Sequence, residues 1–122
     1  MGQLKQSIVN ACKERLIATK ASLLNRIREN LSDYHSRDRG GDETDMALDT
    51  LAENQFLTSQ ERMRHQLIEI ETALAKIERG IYGICEETEE PIETERLLAI
   101  PWTRLSVEGA EIREELSKRY AK

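Results

Sequence analysis

Gly40-Gly41-Asp42-Glu43-Thr44-Asp45-Met46-Ala47 separates two long segments of helical pattern, and its reading decides the fold. Paired glycines supply the backbone freedom that a chain reversal needs. Asp42 and Asp45 stand at the spacing of an N-cap and its N3 partner opening the next helix. The stretch therefore reads as the turn at the tip of a helical hairpin, and its acidic groups either only start a helix or also do a job there.

Upstream, Leu4, Ile8, Cys12, Leu16, Leu23, Ile27, Leu31 and Tyr34 recur at spacings of three, four or seven, the mark of one helix face. This predicts a helix from about residue 3 to 36, stopped by the run Ser36-Arg37-Asp38-Arg39-Gly40-Gly41. Downstream, a second helix begins near Thr44. Its later half, Met63, Leu67, Ile70, Leu74, Ile77 and Ile81, alternates four and three as the seam of a two-helix coiled coil does. In its earlier half Leu48, Ala52 and Phe56 continue the stripe while Gln55, Thr58, Ser59 and Gln60 dilute it, so looser packing is expected toward the tip. Arms of some 35 residues at 1.5 Å each imply a rod on the order of 50 Å long.

Gly80-Ile81-Tyr82-Gly83 breaks this periodicity, and Pro91 and Pro101 punctuate the rest of the chain. A short helix over Glu93 to Ala99, a short extended piece over Trp102 to Val107 and a last helix from about Glu108 to Tyr120 are expected. Ile112, Leu116 and Tyr120 are expected to join a small core with Trp102, Leu97 and Ile92. The expected fold is mainly α: a long antiparallel coiled-coil hairpin over residues 1–80, its tip at about 38–47, and then a small module with a terminal helix over 81–122.

Composition agrees with an elongated helical chain. Of 122 residues 34% are charged and only five are aromatic, which leaves little material for a large core. No run of 18 apolar residues occurs, and Met1 to Thr19 lacks the apolar core of a secretion signal, so a cytoplasmic location is expected. Cys12 and Cys85 form no Cys-x-x-Cys pair and read as separate thiols. Residues 1–41 hold eight Lys or Arg against four Asp or Glu, and residues 42–80 hold four against nine. This asymmetry favours antiparallel pairing of the two arms, although each exposed pair contributes less than about 1 kcal/mol. An acidic chain, net −5, is poorly suited to binding DNA, which takes clustered basic groups. No nucleophile with a base, phosphate loop or metal-ligand cluster appears, so no enzymatic activity is expected.

Three features together resemble the DksA/TraR family of bacterial transcription factors. Asp42-x-x-Asp45-x-Ala47 after a glycine turn is similar to the family's coiled-coil tip. Ala75-Lys76-Ile77-Glu78-Arg79-Gly80-Ile81-Tyr82-Gly83-Ile84-Cys85 resembles the family's passage from its second arm into a zinc finger, at the family's spacing from Ala47. Pro91-Ile92, Glu95-Arg96-Leu97-Leu98-Ala99-Ile100-Pro101 and Ala110-Glu111-Ile112-Arg113-Glu114 resemble its later segments. The resemblance implies a regulator that enters the secondary channel of RNA polymerase and delivers Asp42 and Asp45 near the catalytic magnesium. Ala47 would be their partner, with Thr44 and Met46 as weaker ones and Arg62 and Arg64 as candidate contacts to the channel rim.

The resemblance also marks a departure. The family's four zinc-ligand positions correspond to Cys85, Thr88, Ser106 and Gly109, and only one of these residues is a thiol. No zinc is expected, with packing of Trp102, Ile92 and Ile100 taking its place. The basic residues used by ppGpp-responsive relatives correspond to Glu69, Ile100 and Ala110, which speaks against ppGpp synergy. An intramolecular hairpin implies a monomer. The alternative is a coiled-coil scaffold that dimerises or docks a partner helix.

Overall fold

A computed structural model describes residues 4–36 and 43–120, with only the backbone given for Glu43, Thr44 and Asp45. The fold is mainly α, with helices α1 (Gln6–Ser36), α2 (Glu43–Arg79), α3 (Thr94–Ala99) and α4 (Val107–Tyr120). Gly80 stops α2 as its position suggests. With φ at 75° it occupies the left-handed region, and the Gly80 and Ile81 amides donate back to the Ile77 and Lys76 carbonyls. This paired closure satisfies two of the helix's last carbonyls. The tight contacts of the chain fall into two units, Thr19–Ile68 and Met1–Ala18 with Glu69–Lys122.

In the Thr19–Ile68 unit, α1 and α2 run antiparallel. The Tyr34 ring stacks on Phe56 with centroids 4.2 Å apart, and Gln60 Nε2 donates to the Ile27 carbonyl at 3.4 Å. Leu23 and Met63 are buried between the helices. Gln60 continues the four-three spacing from Phe56 to Met63, so helix geometry places it in the seam despite its amide. It is only 4% exposed. Its Oε1 has no hydrogen-bond partner among the described residues. Gln60 is thus more than a dilution of the stripe: it is a buried polar layer, a device that in coiled coils fixes register at a cost in stability. Leu31 and Leu48, expected on the buried stripe, are exposed. A pair of helices covers only a narrow seam, and these two residues lie to its side.

The other unit pairs the start of α1 with the end of α2, where Lys13 meets Glu78 at 3.7 Å. Cys12, Leu16, Ile70 and Ala73 are buried there. Beneath α3, Cys12, Cys85, Ile92 and Leu97 form one apolar cluster, with Leu4, Ile8, Tyr82 and Leu105 packed against it. Side chains tie this cluster to backbone. The Cys12 thiol donates to the Leu97 carbonyl at 3.7 Å, Arg15 donates to the Leu98 carbonyl, and the Tyr82 hydroxyl donates to the Pro101 carbonyl at 2.8 Å. Gly83, with φ at 89°, holds a backbone conformation that strains any other residue, and a side chain there would also displace the Leu4 methyl.

Two expectations are corrected here. Residues 102–106 form no strand: Trp102 closes a turn and 103–106 are irregular, with Arg96 Nε and the Thr103 hydroxyl both donating to the Leu105 carbonyl. Ile112, Leu116 and Tyr120 do not join the core: they are 36%, 40% and 83% exposed. Only the first turn of α4 is seated, through Gly109, and residues 111–120 are exposed throughout. Their spacing gives α4 an apolar stripe, but periodicity alone does not supply a surface to cover it.

Candidate functional site

The acids at the start of α2 are only partly within the described residues. Asp42 lies outside them. Thr44 and Asp45 belong to the first turn of α2, where backbone alone is described. Met46 and Ala47 come next on the helix, with exposed side chains. Further along α2, Arg62 and Arg64 are both exposed. Arg64 borders a groove of about 600 Å³ together with Leu31, Leu57, Gln60, Glu61 and Ile68.

Cys85, Thr88, Ser106 and Gly109, distant in sequence, come together in space. The Thr88 amide donates to Cys85 Sγ at 3.4 Å, and the Gly109 amide donates to Ser106 Oγ at 3.0 Å. A Cβ built on Gly109 would overlap Cys85 Sγ and crowd Ser106 Oγ. Burial alone would raise the Cys85 thiol, but hydrogen bonds from the hydroxyls and backbones of Ser106 and Thr88 favour its thiolate and bring it down to about 6.

This donor set does not fit structural zinc. One thiolate and two neutral hydroxyls are present where four N or S donors are required, and the fourth position has neither a side chain nor space for one. Among the described residues no group of three or more His, Cys, Asp or Glu is arranged to hold a metal. The substituted positions perform other tasks. Ser106 precedes α4, its hydroxyl receives the Gly109 amide and its carbonyl receives the Ala110 amide at 2.9 Å, so it is the N-cap of that helix. Thr88 Oγ1 accepts from the Glu90 amide within the turn after Cys85. The packing expected of Trp102, Ile92 and Ile100 is supplied differently: Ile92 joins the cluster, with Leu97 and Cys12 beside it, whereas Trp102 and Ile100 are only half-buried.

The capping role of Ser106 escapes a reading that treats the residue only as a lost ligand, although Ser immediately before a helical stretch is a standard start signal. The acidic run Glu86, Glu87, Glu89 and Glu90 reads from sequence as a solvated loop, and Glu86, Glu89 and Glu90 are exposed, but two of its members are paired. Glu86 meets the Lys76 ammonium at 2.6 Å, and Arg113 reaches Glu87 at 3.0 Å and Glu86 at 3.9 Å. Burial opposes ionisation of Glu86, but Lys76, Arg104 and Arg113 outweigh it and hold the carboxyl below its ordinary range. No sequence signal points to these partners, because they come from separate parts of the chain.

Residues 80–115 match the model of the prokaryotic dksA/traR C4-type zinc finger. The RNA polymerase-binding transcription factor DksA of Caulobacter vibrioides is 37% identical over 110 residues, covering 84% of this chain and 72% of its own. Among solved structures, transcription factor DksA2 from Pseudomonas aeruginosa superposes with a TM-score of 0.82 at 31% identity, covering 95% of this chain and 89% of its own. The RNA polymerase binding protein and transcriptional regulator Dks from Chlamydia trachomatis gives 0.52 at 26% identity, covering 93% and 94%. The chain thus shares the fold of a class of helical transcription factors. It belongs to the DksA/TraR family.

Proposed function

We propose that this chain is a transcription regulator that binds bacterial RNA polymerase through the secondary channel and alters initiation without binding DNA. The observation that carries the reading is the Asp42-x-x-Asp45-x-Ala47 pattern at the start of α2, in a chain related over most of its length to DksA proteins. The hairpin over residues 1–80 would carry the tip, and the module over 81–122 would serve as its base. Carboxylates are hard oxygen donors and hydrogen-bond acceptors, suited to a site near Mg²⁺ or to basic channel residues. Asp42 and Asp45 supply them; Thr44 and Met46 flank them, and the small Ala47 permits close approach to another backbone. Arg62 and Arg64, exposed on the same helix, are the contacts proposed for the channel rim.

In this reading the acting form is a cytoplasmic monomer without enzymatic activity. Its module holds no zinc, because the positions of Cys85, Thr88, Ser106 and Gly109 offer one thiolate between them. ppGpp synergy is not expected, since Glu69, Ile100 and Ala110 provide no basic group. The test is a pull-down with polymerase and then crosslinking from position 45. Asp45→Asn should leave helicity and binding nearly intact while weakening the effect on a sensitive promoter in vitro at least severalfold. Unchanged regulation by the variant would remove the role given to the tip.

A further inference from the structure

The groove beside the helix seam has an unusual internal symmetry. Leu57, Glu61, Arg64 and Ile68 lie on one face of α2, at steps of four, three and four, and all four line the groove. Leu57 and Ile68 are each 55% exposed, and the two charged residues between them are exposed as well. Among the described residues no ion pair takes either Glu61 or Arg64. The order apolar, acidic, basic, apolar is its own complement when read backwards. A second copy of the same face, turned antiparallel about a two-fold axis between Glu61 and Arg64, sets Leu57 against Ile68 and Glu61 against Arg64 twice over.

We infer that this face of α2 pairs with itself, so that two copies of the chain associate weakly in solution through the stretch Leu57–Ile68. The symmetry supplies the argument for a second copy over another occupant. An isologous interface needs a self-complementary patch, and this stripe is one in both apolarity and charge. Leu31 of α1 borders the same groove and is itself exposed, so the facing helix gains apolar surface beyond α2. The stripe spans about 16 Å of helix, and a handful of side chains per copy buries well under the roughly 800 Å² per partner of a standard interface. Association is therefore weak, and the pair dissociates on dilution. Because Arg64 is buried in the pair, association competes with any other partner that uses this arginine; self-pairing itself stands whether or not the chain binds polymerase.

Sedimentation equilibrium from about 10 µM to 1 mM tests this on the full chain. The average mass should climb from 14.0 kDa toward twice that value as concentration rises. Arg64→Glu opposes like charges at two places and should weaken association about tenfold or more. The double variant Glu61→Arg/Arg64→Glu restores complementarity with the signs exchanged and should recover association to within about threefold of the parent. Circular dichroism confirms that each variant keeps its helices. Ile112→Glu, on the exposed stripe of α4, should change nothing. A monomer at every concentration, a single variant that associates as the parent does, or a double variant no better than the single would each overturn the inference; loss of association in Ile112→Glu alone would transfer it to α4.

Discussion

The two units of this chain are built from the same pair of helices and are held in different ways. In the unit of residues 1–18 and 69–122, Leu16, Ile70 and Leu97 are wholly inaccessible, and Cys12, Arg15 and Tyr82 fasten the cluster to the backbone of the segment that packs on α1. In the unit of residues 19–68 a narrow seam serves alone, interrupted by the buried amide of Gln60 and flanked by exposed Leu31, Leu48, Leu51 and Leu57. Three elements around one cluster bury a residue from all sides, whereas two helices bury only a stripe. The difference teaches that stability is concentrated in the unit holding the module and that the unit of residues 19–68 is the softer of the two.

The comparison is most severely strained by Leu97→Ala. Leu97 is fully buried at the centre of the cluster, and its truncation should cost about 2–5 kcal/mol. The single tryptophan, Trp102, lies within that unit, so its fluorescence in a denaturant titration reads the loss there. A loss below about 1 kcal/mol would contradict the concentration of stability in the module.

Next in size is a pH effect of Cys85. Its thiol sits at about 6 in the folded chain against an ordinary value of 9.0, so between those values the unfolded chain holds a proton that the folded chain has released. Stability therefore rises with pH across this window: the contribution is full above about pH 9 and is lost as pH falls through 6. It amounts to about 2–4 kcal/mol. Thiolate absorbance should titrate with a midpoint close to 6, and Cys85→Ala should flatten the stability profile between the two limits. A profile already flat in the parent would show that the hydrogen bonds of Thr88 and Ser106 do not favour the thiolate.

The smallest expected effect lies in the other unit. Gln60→Leu removes a buried acceptor and completes the seam between Phe56 and Met63, which should stabilise residues 19–68 by about 1–2 kcal/mol. Hydrogen exchange should slow there by roughly tenfold while the module's amides keep their rates. Uniform slowing of both units would mean that they do not open separately.

Particular residues explain how far the sequence is legible. Gly80 stops α2 as its position implies, and Met63 and Ile70 take their seam positions, because helix ends and helix faces are local properties. The start of α2 at Glu43 is likewise announced by the glycines and acids before it. Gln60 is hidden when polarity is weighed above position. Ile112 and Leu116 mislead because a periodic face states that a helix is amphipathic and not what covers it. Ser106, weighed only as a residue in place of a family ligand, conceals the helix it caps. The ion pairs of Glu86 with Lys76 and Arg113 join three separate parts of the chain, and no local pattern encodes such a meeting.

The contact between the Cys12 thiol and the Leu97 carbonyl spans 85 positions of chain, whereas that between Gln60 and Ile27 spans 33. Closing the longer loop costs about 1 kcal/mol more in chain entropy, and during synthesis it must wait until Leu97 has left the ribosome. The softer unit is therefore the first whose contacts can form, and the module that carries most of the stability is the last to close. A nascent chain spends that interval with Cys12 not yet met by Leu97, which makes this stretch of α1 a natural point of engagement for chaperones.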